Sequence, residues 1–282
     1  MTTTDLRPSP IAGTWYEADP ARLARAVDGY LEAATLPALD GEVAAVIAPH
    51  AGHRYSGAVA GYAFAPLRGK SFDLVAVISP FHQMAFQPLI TTAHSAYETP
   101  LGEIAMDKES MLALDTALKA DLGFGLSPML RDKEHSLEIE LPFLQRALVG
   151  DFNLLPIMIR DQEPEVARAL GLALAQVLKG KNALLVASTD LSHFYDQKTA
   201  NILDAEMLKR FESFQPEKIF EAEHSGKGFA CGHAAVASVL WAARALGADK
   251  VQILHHATSG DVTGDFSQVV GYGAAVVLKR NS

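Results

Sequence analysis

Apolar, β-branched runs alternate along most of this chain with stretches in which apolar residues recur every three to four positions. The runs Val43 to Ala48, Phe72 to Ser79, Phe152 to Ile159, Ala183 to Ser188 and Val251 to His255 predict buried strands. Val269 to Leu278 predicts a longer strand interrupted by Gly271 and Gly273, and a short one is expected near Pro88 to Thr92. Between them, Pro20 to Ala34 carries Leu23, Val27, Tyr30 and Leu31 at helical spacing, with Asp19 as N-cap. Asp107 to Lys119, Glu163 to Leu178 and Thr199 to Phe211 follow the same rule, and a helix is expected to start at Ser56. Ala234 to Leu246 is apolar nearly all round and is expected to be buried. This alternation predicts an α/β fold with a mainly parallel or mixed central sheet flanked by helices. No linker, charge block or internal repeat divides the chain, so one domain over 1–282 is expected.

Composition narrows the picture. Of the 282 residues 49% are hydrophobic, enough to fill a substantial core. A net charge of −9 with scattered basic residues excludes the basic stripe of a nucleic-acid binder. The single cysteine, Cys231, rules out an intrachain disulfide. The start MTTTDLRPSPIAGTWY is polar and irregular, without the marks of a secretory signal. With no apolar run long enough to span a bilayer, the expectation is a cytoplasmic protein that binds no membrane.

In open α/β sheets ligands bind beyond the carboxyl ends of the strands, so the residues that follow each strand matter most. The first strand runs into PHAGHRYSG with His50, and the second into SPFHQ with His82. ALLVAS is followed by TDLSHF with Asp190 and His193, and VQILHH leads to Asp261 and Asp265. His50 and His82 share one form, an apolar strand, a proline and then a histidine. A stiff exit of that kind holds a neutral imidazole in place for a metal. Each histidine alone fits equally well as a hydrogen-bonded loop residue.

Cys231 precedes the last long helix in GFACGHAAV. It reads either as a small buried hydrophobe or as a thiolate favoured by the helix N-terminus. In EHSLEIELPF, His135 and Glu138 stand one helical turn apart. They either face one site or belong to a helix opening capped by Ser136. Trp15 either packs an irregular arm on the core or walls a pocket. The nucleotide-binding, zinc-protease and serine-esterase motifs GxGxxG, GxxxxGK[ST], HExxH and GxSxG are absent.

Taken together, AGTWY, IAPHAGHRYSG, SPFHQ, TPLGEIAMD, EHSLEIELPFLQ, LLPIMI, STDLSHF, ACGHAA and TSGDVTGDFSQVVGYGAAVV resemble the Memo family from about Ala12 to Val277. Its bacterial members are known as the B component of the AmmeMemoRadiSam system. The resemblance implies a fold similar to class III extradiol ring-cleaving dioxygenases and a metal site at His50, His82 and Cys231. It also implies that Asp190 and His193 share that pocket, with Trp15 and Tyr55 near its mouth; His135 and Glu138 are expected in the pocket or behind it from their spacing alone. His53 stands where an aromatic residue is usual, and SPFHQ replaces a commoner GPSH.

Such a site implies one metal ion, iron or copper foremost and zinc as the alternative. His193 would be the general acid or base, oriented by Asp190. Three functions follow from one pocket: metal-dependent redox chemistry of oxidase or dioxygenase type, a non-enzymatic adaptor for a peptide or small anion, and zinc-type hydrolysis. The expected partner is a small-molecule or peptide ligand. The family's bacterial naming adds a functional link to radical-SAM and AMMECR-type proteins.

Overall fold

The apolar runs assemble side by side because each is apolar on both faces and must be covered twice. The computed structural model describes residues 5–280. Its strands are, in order, β1 (Leu6–Arg7), β2 (Glu42–Ala48), β3 (Leu74–Pro80), β4 (Leu89–Thr92), β5 (Ala96–Thr99), β6 (Gly102–Ala105), β7 (Ser127–Met129), β8 (Asn153–Ile159), β9 (Ala183–Ser188), β10 (His193–Tyr195), β11 (Lys250–Thr258) and β12 (Val269–Lys279). The helices are α1 (Pro20–Ala33), α2 (His53–Phe64), α3 (Lys108–Leu122), α4 (Leu141–Ala147), α5 (Pro164–Leu178), α6 (Gln197–Glu212), α7 (Glu217–His224), α8 (His233–Ala245) and α9 (Ser259–Thr263). The polar opening expected for 1–16 is described from residue 5 onward, and the ends of the expected 1–282 span lie outside the described residues.

One mixed sheet dominates, ordered β10-β12-β2-β9-β3-β8-β4-β7 with β11 paired to β12. Its four central strands β2, β9, β3 and β8 are parallel, and antiparallel partners close both flanks. A smaller sheet joins β1, β5 and β6. The class expected from periodicity, α/β with a mixed central sheet between helices, is the one found.

Alternation along the central strands sends their side chains into two cores. Ala45, Ile47, Ala76, Ile78, Leu185 and Ala187 pack with α5 and α8 on one face. Val46, Ala48, Val75, Val77, Leu184 and Val186 pack with α1, α2 and α4 on the other. The helix expected to be apolar all round is α8, buried continuously from Ala234 to Ala243. No helix among the described residues is long and apolar enough to cross a membrane.

Two expectations of detail change. The last strand is unbroken, because its glycines admit neighbours rather than ending the ladder. A Cβ on Gly271 would come within 1.9 Å of Asp204 Oδ2, so only glycine lets α6 lie this close. Helix α2 begins at His53 rather than Ser56, since the Trp15 carbonyl accepts the His53 amide at 2.8 Å and starts the turn early. The shortest elements, β1, β5, β6, β7, β10, α4, α7 and α9, carry too few residues to show a period. Several of them nevertheless build the walls of the site.

Candidate metal centre

Strand β2 ends at Ala48 and Pro49 turns the chain, which sets His50 beside the end of β9, where Ala48 pairs with Ser188. The buried His50 amide donates to Asp190 Oδ1 at 2.8 Å, and its Nδ1 lies 2.8 Å from Ser188 Oγ. Ser188 Oγ has one hydrogen, and it goes to the Ser136 carbonyl at 2.6 Å. The hydroxyl must therefore accept from His50, which puts the proton on Nδ1 and leaves Nε2 with a free lone pair.

His82 leaves β3 in the same way and is caught by Glu134. The His82 amide donates to Glu134 Oε2 at 2.6 Å and His82 Nδ1 meets Oε1 at 2.9 Å. The same Oε1 lies 3.2 Å from His135 Nδ1 and accepts the amides of His135 and Ser136 at 3.0 and 3.1 Å. Burial works against a charge on Glu134, yet its bonds from His82 and from the Ser136 amide outweigh that and hold its pKa down to about 2. A carboxylate that only accepts fixes Nδ1–H on His82 and turns its Nε2 away from Glu134.

One ring nitrogen from each of His50, His82 and His135 lies within 4.8 Å of the others. The rings of His82 and His135 stack at 4.9 Å, and His50 stands edge-on to both at 5.3 and 5.5 Å. Burial is the main cause of the low pKa values of His50 and His135. His135 falls to about 4, and His50 goes well below its ordinary range. Both are therefore uncharged at neutral pH, the form a metal requires.

Cys231 borders this group. Its Sγ is 3.1 Å from His50 Nε2 and accepts the Asp190 amide at 3.3 Å. Gly232 makes the approach feasible, because a Cβ there would sit 2.3 Å from the Ser188 carbonyl oxygen. Two effects oppose each other at the Cys231 sulfur, the helix N-terminus favouring the thiolate and burial the thiol. Burial, with the Asp190 charge second, pushes the Cys231 thiol well above its ordinary range.

The remaining residues divide between the site and its frame. His193 donates from Nδ1 to the Leu191 carbonyl at 2.8 Å, which leaves its Nε2 unprotonated. Asp190 does not orient it; its Oδ1 is spent on the His50 amide, while Oδ2 stands 3.9 Å from His50 Nε2. Burial raises the Asp190 pKa to about 7. Trp15 does both jobs open to it, anchoring α2 through its carbonyl and laying its ring 4.1 Å from His135. Tyr55 is partly exposed in the first turn of α2.

His135 and Glu138 part company, because a tight 3-10 turn at Glu138–Glu140 follows His135 where an α-helix was expected. Glu138 turns to Arg7 at 2.6 Å and Tyr16 at 2.7 Å. Ser136 does not cap a helix; its hydroxyl donates to the Pro80 carbonyl at 2.7 Å. The histidines and aspartates after VQIL also stay outside. His255 stacks on Tyr62, His256 pairs with Asp204, and Asp261 caps α9 with Thr258. Periodicity missed Glu134, Ser188 and Arg7. Only the place of Glu134 directly before His135 was a signal, and it did not say which way the carboxylate would reach.

His53 lies one layer behind the group, among Phe143 at 4.9 Å and Tyr16 at 5.4 Å. Its Nε2 donates to the Ile139 carbonyl at 3.2 Å, while Nδ1 has no partner. Burial lowers its pKa from 6.5 to about 4. The unfolded chain takes up this proton first, so stability is lost as pH falls from 6.5 toward 4. By linkage, His53→Phe should gain about 2 kcal/mol over wild type on going from pH 8 to pH 5. Urea unfolding at the two values measures it, and an equal change in both proteins would refute it.

These observations describe an α/β protein with a three-histidine group, suited to hold a metal ion, at the carboxyl edge of its parallel strands. The model of Memo-like proteins matches residues 7–276. A MEMO1 family protein of Nitrosopumilus maritimus is 36% identical over 229 residues, covering 81% of this chain and 82% of that one. One from Methanothermobacter thermautotrophicus is 34% identical over 277 residues, covering 95% and 98%. The chain belongs to the Memo family.

Proposed function

We propose that this chain is a mononuclear metalloprotein whose centre carries redox chemistry of oxidase or dioxygenase type on a small-molecule ligand. The observation behind this reading is the clustering of His50, His82 and His135, with the Nδ1 atoms of His50 and His82 held by Ser188 and Glu134. The donor set fits a borderline metal. Neutral imidazoles suit iron, copper and zinc, and the Cys231 thiol beside His50 adds a soft donor that favours copper or iron. A bound iron or copper ion would supply one-electron chemistry and open coordination positions.

The chain's own residues would do the rest. His193, its Nε2 unprotonated, accepts a proton from a ligand hydroxyl. Asp190, with a pKa of about 7, holds or releases a proton beside His50. Trp15 covers one side of His135.

Metal analysis of protein purified without added metal tests this reading. Iron or copper near one ion per chain is expected, and His50→Ala, His82→Ala and His135→Ala should each remove most of it. Full zinc occupancy without iron or copper would favour hydrolysis. If His135→Ala keeps its metal and Cys231→Ala loses it, the third donor is Cys231.

A further inference from the structure

Glu140 closes the 3-10 turn that follows His135. It is fully buried, and neither of its carboxyl oxygens meets a hydrogen-bond donor. Its polar neighbours are the Ser188 hydroxyl and the Asp190 carboxyl, and neither brings a positive charge. An ionised carboxylate in such a place would lose its hydration and gain no counter-charge in exchange, and the hydrogen of its one neighbouring donor, Ser188, already goes to the Ser136 carbonyl. Burial accordingly drives the Glu140 carboxyl well above the ordinary carboxylate range. A neutral carboxyl differs from a carboxylate in one useful respect: it owns an O–H donor.

Ser188 supplies an acceptor for that donor. Its hydroxyl has one hydrogen and two lone pairs. The hydrogen goes to the Ser136 carbonyl at 2.6 Å, and one lone pair receives His50 Nδ1–H at 2.8 Å. The second lone pair has no other partner. If Glu140 were ionised, it would draw the Ser188 hydrogen to itself and release the Ser136 carbonyl.

We propose that Glu140 works as a carboxylic acid that donates to Ser188 Oγ, and so pins the hydroxyl that keeps His50 protonated on Nδ1 with Nε2 turned to the metal centre. Three partners then hold Oγ at once, and a rotation that turned its hydrogen toward His50 would break two contacts. The competing tautomer would place a proton on Nε2, aimed at Cys231 Sγ 3.1 Å away, and would occupy the lone pair a metal needs. Glu140 is thus a positioning residue acting through Ser188, and this role rests on the metal-site reading above.

The test uses the full chain, Zn²⁺ as probe, and the variants Glu140→Gln, Glu140→Leu and His50→Ala. Glutamine keeps an N–H donor in the same place, so Glu140→Gln should bind Zn²⁺ within about threefold of wild type. Glu140→Leu should bind about tenfold more weakly or worse. Infrared spectra at pH 8 should show the carbonyl stretch of a protonated carboxyl in wild type that Glu140→Gln lacks. Absence of that band, wild-type affinity in Glu140→Leu, or equal weakening in both Glu140 variants would each overturn the proposal. If Glu140→Leu does not fold, the infrared band and Glu140→Gln decide. Wild-type Zn²⁺ affinity in His50→Ala would instead overturn the metal-site reading, and the band would still report the state of Glu140.

Discussion

Replacing Arg7 by leucine should lower the unfolding free energy by about 3–5 kcal/mol, the range found when one partner of a buried ion pair is removed. Arg7 is almost wholly buried, and its guanidinium is shared among three groups. Its Nε meets both oxygens of Asp132 at 3.1 and 3.0 Å, Nη1 meets Glu138 at 2.6 Å, and Nη2 donates to the Glu134 carbonyl at 2.9 Å. The Tyr97 ring lies 4.6 Å beneath it. Leucine would leave two buried carboxyls without their cation. It would also release the backbone on either side of His135, so metal binding should weaken along with stability. Urea unfolding of apo protein measures the first effect. A loss under 1 kcal/mol would mean that this network is neutral, as exposed pairs commonly are.

Glu134→Gln should reduce metal affinity by about 100-fold, the upper end for a partner behind metal-binding histidines, because one carboxylate holds the His82 ring and the backbone of His135. Both oxygens of Glu134 accept, from the His82 amide and ring and from the His135 and Ser136 amides. An amide group keeps the shape but turns one acceptor into a donor, which then faces another N–H. Zn²⁺ titration followed by calorimetry, with circular dichroism to confirm folding, reads the effect. Wild-type affinity in Glu134→Gln would show that packing alone orients the rings.

His50 and His82 were legible in the sequence because each follows a strand whose apolar run is unmistakable, and a proline marks the exit. Asp190 was legible for the same reason, though its role was not. Its carboxylate holds the His50 amide 140 positions away, whereas the site implied by the resemblance had it orienting His193. Trp15 stood out as an aromatic in a polar stretch and Tyr55 came from the family resemblance, while the periodicity around them carried no signal. His135 sits in a segment whose helical spacing with Glu138 was misleading, since the turn there is tighter than an α-helix and sends the two side chains apart. Arg7 lies in a strand of two residues, too short for any pattern.

By itself the sequence determined the order of strands and helices, the two-sided burial of the central sheet, and the delivery of His50 and His82 to its carboxyl edge. These follow from periodicity and turn chemistry, which act over a few residues. Only the tertiary structure decided which side chains meet there. Glu134 reaches back 52 positions to His82, and Cys231 reaches 181 positions to His50. Such contacts arise from the packing of layers and from the room left by Gly232, and no local pattern encodes them. The physical reason is that a buried imidazole is fixed by a partner on its other nitrogen, and for His50 and His82 those partners come from a strand end and a loop far apart in the chain.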